Sequence, residues 1–533
     1  MRTLAALAAL VLTSTLLVPA TAVSAGETGA NAAAAAPVFD RIEGTTTTSI
    51  AVQASERMFP AGLSGGTVVV AAKEGFQAGF AAASAAAALG GPLLLVTQSS
   101  VPAAVRAELV RLAPARIVVV GSTKSLSAAV MTSLKGIQPN TVRVAGSDYY
   151  LDAEALARSA HPAGVDHVVI ASSTISPDTA SAASLAAEDT SPLLFVRKAD
   201  KAPRATIAAL LAQLGVERVT IVGGTGSVSA KFQSALSTAG YTVDRVVGSN
   251  RYGTSAAAAA AYGTPSTALI VSGNYAGTAV GIIPLAAQLH APVVLAVPYC
   301  RSAALNDYLE ANAIAEPIVV GARAIVRELL VTGEECRSLT TASSLWVVAN
   351  KKNKLDPVTY VPGGLRVPNI QRTGSHSVTG ATASALEALA AGSRAAGAGR
   401  IGIVSGYRSY STQQALYARY VRTNGQKWAD SQSARAGFSE HQTGLAADVS
   451  ACSASSCGSI YNFGATAQGK WVKANAYKYG FVVRYEPGYT STTGYASEPW
   501  HLRYVGTALA TEYQAGGFHT LESYFGYPAA PGY

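Results

Sequence analysis

Short unbroken runs of Val, Ile and Leu alternate with alanine-rich stretches over the first two-thirds of this chain. The runs predict strands at 68–71, 117–120, 168–171, 219–222, 269–272 and 318–320, with helices such as 78–89 and 179–187 between them. Another run follows each of Pro92, Pro192 and Pro292: Pro-Leu-Leu-Leu-Val, Pro-Leu-Leu-Phe-Val and Pro-Val-Val-Leu-Ala. Strands that are apolar on both faces and alternate with helices are the pattern of buried parallel sheets, so the class is α/β. The prolines recur every 100 residues. Gly44, Gly146 and Gly248 recur every 102, within Arg-Ile-Glu-Gly, Arg-Val-Ala-Gly and Arg-Val-Val-Gly. Three matches at one period mark three copies of a unit, expected at 39–146, 147–248 and 249–333. The period is too long for a thin solenoid. Each copy is expected to be a small α/β domain, the three packing about a pseudo-threefold axis.

The pattern changes after a linker at 334–344. A helix is expected at 381–396, a strand at 401–404, and a helix to about 423 opened by Ser411 with Gln414 completing a capping box. Strands follow at 445–449, 481–485 and 500–505, with a helix at 466–479 closed by Gly480. Helices and strands mixed in this way predict an α+β domain over 345–533. All four tryptophans lie in it, which also argues for a region of separate origin.

The ends and the charge add a compartment. Arg2, the apolar stretch 4–20 and Val23-Ser24-Ala25 read as a signal peptide over 1–25, followed by an alanine-rich linker at 26–38. No later run has membrane length, so no stable span is expected after cleavage. Four cysteines suit an exported protein. Of the three possible connectivities the local one, Cys452–Cys457 with Cys300–Cys336, is favoured. A net charge of +9 suits an acidic wall polymer as partner. Nucleic acid is not expected, since no dense Lys/Arg run or matching motif occurs.

Chemistry concentrates near the C-terminus. Asp448 sits in Leu-Ala-Ala-Asp-Val, where a carboxylate between apolar neighbours is costly unless paired or metal-bound. His441 lies in the preceding loop, and Gly444 permits a turn that joins the two. His501 follows Glu498-Pro499-Trp500. Two imidazoles and a carboxylate form a three-ligand zinc set with an open fourth position, and Glu498 suits a general base. Of the seven histidines, His441 and His501 are read as the two with an acidic residue close by in a structured setting; His161, His167, His290, His376 and His519 read as structural. Gly224-Thr225-Gly226 is an incomplete dinucleotide fingerprint, with Ser229 where a third glycine would stand. Absence of Ser-x-x-Lys argues against a serine-type penicillin-sensitive peptidase.

Two resemblances sharpen this. Residues 39–330 resemble the cell wall-binding repeat 2 family, through the Arg-x-x-Gly entry, the apolar strand after each Pro, and Val222-Gly223-Gly224. Gly121-Ser122 and Gly321-Ala322 depart from that last turn. The resemblance implies non-covalent attachment to an anionic wall polymer. Ser439-x-His441-x-x-Gly444-x-Ala446-x-Asp448, then Glu498-x-Trp500-His501, resembles the VanY-like D-alanyl-D-alanine carboxypeptidases. Ser405-Gly406-Tyr407-Arg408-Ser409 with Gln413, Asn350-Lys351-Lys352, Tyr360-Val361-Pro362 and Tyr479-Gly480-Phe481 are similar to further segments of that family. The resemblance implies one Zn2+ on His441, Asp448 and His501, with Glu498 as base. It places Arg408 at the reacting carbonyl and Gln413 and Ser439 near the substrate, with Trp500 packed beside the site. The expected protein is a secreted hydrolase on the wall of a Gram-positive bacterium, trimming peptidoglycan stem peptides by releasing terminal D-alanine. The rival readings are an L,D-carboxypeptidase, an endopeptidase, and a non-catalytic wall-binding protein or adhesin.

Overall fold

The computed structural model describes residues 40–174 and 176–533. The expected signal peptide and the linker at 26–38 lie outside the described residues. No helix among the described residues is long and apolar enough to cross a membrane.

The repeats are α/β, as their pattern requires. In the first, a four-stranded parallel sheet runs in the order Leu93–Val96, Thr67–Ala72, Arg116–Val120, Thr141–Val144. The second repeats it as Leu193–Val196, His167–Ser172, Arg218–Val222, Thr242–Val246. In the third, Val293–Ala296, Leu269–Ser272 and Ile318–Val320 are completed by Arg41–Ile42 from the start of the described chain. That strand opens the segment expected as the first unit, yet it pairs with the third sheet, Arg41 opposite Val319 and Ile42 opposite Val320. The set of three is thus closed by its own N-terminal strand.

The recurring Arg-x-x-Gly has a physical role in this arrangement. Arg143 and Arg245 donate to the carbonyls of Gly121 and Gly223, and Arg41 donates to Gly321 O at 2.8 Å. Each of these glycines ends a strand with φ between +95° and +109°, a left-handed conformation that side chains resist. The helices Phe76–Ala88 and Ser176–Glu188 pack on each other and on Ile283–Gln288. Their alanines, among them Ala82, Ala83, Ala182, Ala183 and Ala286, are fully buried in one central core, which gives the pseudo-threefold packing.

The C-terminal α+β domain is built on a five-stranded sheet. Its order is Gln371–Arg372, Arg400–Ser405, Ala446–Cys452, Glu498–Tyr504, Phe481–Tyr485, antiparallel except at the first pair. Helices Gly380–Ala395 and Ala467–Asn475 cover it through Leu386, Leu389 and Val472. The helix expected to start at Ser411 is Tyr410–Asn424; its cap is Ser409, whose hydroxyl accepts from Thr412 N at 3.1 Å. Ser411 instead bonds that cap side chain at 3.0 Å, so a serine-rich run hid the true start. The expected final strand begins two residues early, at Glu498.

Both expected disulfides form, Cys300–Cys336 and Cys452–Cys457. The segment expected as a linker is a tethered strap. Cys336 is bonded to Cys300, and Trp346 packs with Leu329, Leu521, Tyr524 and Phe525 in a core shared by the third repeat and the C-terminal domain.

Candidate metal centre

Strand register brings the expected ligands together. Asp448 on Ala446–Cys452 is directly opposite His501 on Glu498–Tyr504, so their side chains share a sheet face. Glu498, three residues before His501, would face away on a regular strand. Between Val483 opposite Leu502 and Tyr485 opposite Glu498, two steps of one strand are matched by four of the other. That irregularity spans Pro499, which has no N–H for a ladder, and re-aims Glu498 toward the same site. His441 comes from the 3-10 turn Glu440–Thr443, and Gly444 closes the turn at φ +69°.

The cluster is tight. One ligand atom from each of His441, Asp448 and His501 can be chosen so that all lie within 4.8 Å of one another. Asp448 Oδ2 is 3.3 Å from His441 Nε2, Asp448 Oδ1 is 3.1 Å from His501 Nδ1, and Glu498 Oε2 is 3.7 Å from His501 Nδ1. Outer hydrogen bonds set the tautomers. His441 Nδ1–H donates to Gly406 O at 2.7 Å, and His501 Nε2–H donates to Glu440 Oε2 at 3.3 Å. This leaves a lone pair on His441 Nε2 and on His501 Nδ1, both turned to Asp448.

Electrostatics agree with a cation site. Burial, then the Arg408 charge, lowers the His441 pKa to about 4, which keeps the imidazole neutral, the form a metal requires. Burial opposes a charge on His501, but the hydrogen bonds and charges of Asp448, Glu440 and Glu498 outweigh it and raise its pKa to about 9. The carboxylates therefore favour a positive species here, and a proton and a metal compete for Nδ1. Burial raises Glu498 to about 7, in the range suited to a base near neutrality. A donor set of two imidazoles and one carboxylate, with both tautomers fixed from behind, fits zinc.

The other expected site residues divide. Arg408 joins the cluster: Nη2 is 2.9 Å from Asp448 Oδ2 and donates to the His441 Nε2 lone pair at 2.8 Å. Its Nε donates to Ser405 Oγ at 3.0 Å. Ser439 and Trp500 line a cleft of about 240 Å3 with the cluster, and Tyr461 meets Trp500 edge-to-face at 5.2 Å. Gln413 is fully buried behind Arg408; its Oε1 accepts from Arg408 Nη1 at 3.2 Å and its Nε2 donates to Ala434 O at 2.7 Å. Carboxylate company alone does not set the ligand histidines apart. His167 lies 3.2 Å from Asp189, His290 3.2 Å from Glu188 and His519 3.3 Å from Glu486. What distinguishes His441 and His501 is convergence on one carboxylate.

Sequence reasoning missed Glu440. Burial opposes its ionisation, but the Arg484 and Arg503 guanidiniums outweigh that and hold its carboxyl far below the ordinary range. The signal was available: Arg484 and Arg503 each interrupt an apolar strand, and a buried guanidinium needs an acidic partner.

Comparison with known proteins agrees with both halves. Residues 41–131, 143–233 and 245–331 match the cell wall binding domain 2 (CWB2) family, together half of the chain, and 375–507 match the VanY family, described as D-alanyl-D-alanine carboxypeptidase. The putative carboxypeptidase YodJ of Bacillus subtilis (strain 168) is 37% identical over 195 residues, covering 35% of this chain and 69% of that protein. A D-alanyl-D-alanine carboxypeptidase of Enterococcus faecium is 37% identical over 125 residues, covering 24% of this chain and 36% of that one. The solved structure of Cwp8 from Clostridium difficile aligns with TM-score 0.50 at 22% identity, over 55% of this chain and 50% of that one, a likeness of fold. With a triplicated parallel-sheet unit and a His-Asp-His cluster in place, the chain belongs to the cell wall binding domain 2 family and carries a VanY carboxypeptidase domain at its C-terminus.

Proposed function

We propose that the protein is an exported, wall-attached zinc carboxypeptidase that releases terminal D-alanine from peptidoglycan stem peptides. The observation that carries this reading is the convergence of His441, Asp448, His501 and Glu498 in one cleft. His441, Asp448 and His501 would hold the zinc ion, which would supply a Lewis acid for the scissile carbonyl and an acidified water. Glu498 accepts the water's proton and returns it to the leaving amine. Arg408 offers a fixed fork to the negative charge growing on the carbonyl oxygen. Gln413 holds that fork, and Ser439 and Trp500 form the cleft wall against the peptide. The test is D-alanine release by the zinc-loaded full chain from a pentapeptide ending D-Ala-D-Ala and a tetrapeptide ending in one D-Ala. Release from the pentapeptide alone supports the D,D activity, release from the tetrapeptide makes it an L,D enzyme, and release from neither refutes the carboxypeptidase reading.

Charge asymmetry among the repeats supports the polymer part. Beyond the strand Leu193–Val196, the second repeat carries Arg197, Lys198, Lys201 and Arg204 in one loop. Arg197 and Arg204 lie 4.8 and 4.5 Å from the Tyr150 ring, while Lys198 and Lys201 are exposed. The equivalent loop of the first repeat is Thr97-Gln98-Ser99-Ser100, and that of the third is tied down by Cys300–Cys336. Lys198→Glu with Lys201→Glu is expected to weaken retention on walls bearing anionic polymer by at least about tenfold at low salt, since each basic residue near a polyanionic surface contributes roughly 1 kcal/mol. Lys73→Glu with Lys124→Glu in the first repeat is the control. Equal retention of both variants in a wall pull-down would remove this loop from the contact.

A further inference from the structure

Behind the metal centre lies a buried ion network that the chemistry itself does not call for. Glu440 Oε1 accepts from Arg484 Nε and from Arg503 Nη1, both at 2.9 Å. Arg484 Nη1 and Nη2 form a fork on Glu522 at 3.0 and 2.8 Å, and Asn350 Nδ2 donates to Glu522 Oε1 at 3.0 Å. Glu440, Arg484, Arg503, Glu522 and Asn350 are all at most 2% exposed. Two cations and two anions cancel, but burying them costs more desolvation than a well-packed apolar cluster would. Stability is therefore a poor reason for the network. Its geometry supplies a better one, because the second oxygen of Glu440 is spent on His501 Nε2.

The network also leaves the family-matched segment. Glu522 lies in the helix Leu521–Phe525, beyond residue 507. In that helix Tyr524 O accepts from Arg327 of the third repeat, whose guanidinium lies 4.4 Å from the Tyr524 ring and 4.5 Å from the Phe518 ring. Glu512 adds a second clamp: its carboxylate accepts from Glu328 N and Leu329 N at 3.1 and 3.0 Å and from Tyr524 Oη at 3.2 Å.

We propose that Glu440 is a positioning residue that holds the His501 ring for metal binding, and that the third wall-binding repeat steadies Glu440 through Arg327, the helix at 521–525, Glu522 and Arg484. The inference rests on the zinc reading above. A carboxylate behind a ligand histidine fixes its tautomer and orientation, and losing such a partner costs about 10–100-fold in metal affinity. The test uses the full chain, with zinc affinity read by chelator competition and ligand geometry by the visible spectrum of the cobalt-substituted protein. Glu440→Asp keeps a charge for Arg484 and Arg503 but withdraws the oxygen from His501 Nε2. It is expected to fold, to bind zinc about 10–100-fold more weakly and to shift the cobalt bands. Glu522→Gln and Arg327→Met are expected to lower zinc affinity by smaller factors in the same direction. Wild-type zinc affinity and an unshifted cobalt spectrum in Glu440→Asp would overturn the positioning role. Wild-type affinity in both Glu522→Gln and Arg327→Met would overturn the link to the repeat. A wild-type chain that bound no zinc would overturn the functional reading and this inference with it, an outcome distinct from either variant result.

Discussion

Glu498→Gln is expected to keep zinc at full stoichiometry while turnover falls by about 10²–10⁴, the usual contribution of a positioned general base. Glutamine keeps the shape of the side chain but cannot accept the water's proton. Glu498 is not among the three candidate ligands, so metal retention separates its proposed role from theirs. His441→Ala is the contrasting variant: it removes one of three ligands and is expected to lose metal and activity together. Metal content measured beside D-alanine release distinguishes the two. Near-normal turnover in Glu498→Gln would overturn the base assignment, and unchanged zinc in His441→Ala would take His441 out of the ligand set.

Much of that site was legible from residue type alone. Asp448 inside an apolar strand announces a need for a partner, and Gly444 announces the turn that brings His441 to it. The same-face placement of Glu498 and His501 was not legible. Spacing of three on a strand puts side chains on opposite faces, and only the irregularity at Pro499 reverses this. Glu440 was hidden for another reason. It adjoins the ligand in sequence, but its meaning comes from Arg484, Arg503 and Glu522, which reach it across sheet pairing and from a helix distant along the chain.

The fold shows the same division. Period and apolar runs sufficed for three parallel-sheet units, because strands buried on both faces have little choice of residue. They did not show that Arg41–Ile42 completes the third sheet. Strand pairing between segments far apart in sequence is set by tertiary geometry, and two residues carry too little pattern to declare a partner. The expected linker at 334–344 carries structural ties that its sequence did not announce, for a related reason: its neighbours Leu329 and Trp346 complete one core, and the disulfide fixes the strap between them.

That shared core makes a fragment beginning at Leu345 markedly less stable than the full chain. The cut removes Tyr299, whose ring lies 5.0 Å from Phe525, 6.2 Å from Tyr524 and 6.5 Å from Trp346. It also removes Leu329, Cys300 and the Arg327 guanidinium from the same cluster. Losing a fully buried aromatic costs roughly 3–5 kcal/mol; Tyr299 is partly buried, so its own loss costs less, and the losses of Leu329, Cys300 and Arg327 add to it. For a domain of this size each 1 kcal/mol lowers Tm by about 2–4 °C, so the 345–533 fragment is expected to melt roughly 10 °C below the peptidase transition of the full chain. Calorimetry of fragment and full chain, with and without zinc, measures the difference. Equal transitions would mean that the third repeat merely abuts the peptidase. A lowered transition with weakened zinc binding would show that the repeats and the carboxypeptidase domain share one folding unit, so that the third repeat helps to build the His441, Asp448 and His501 cluster.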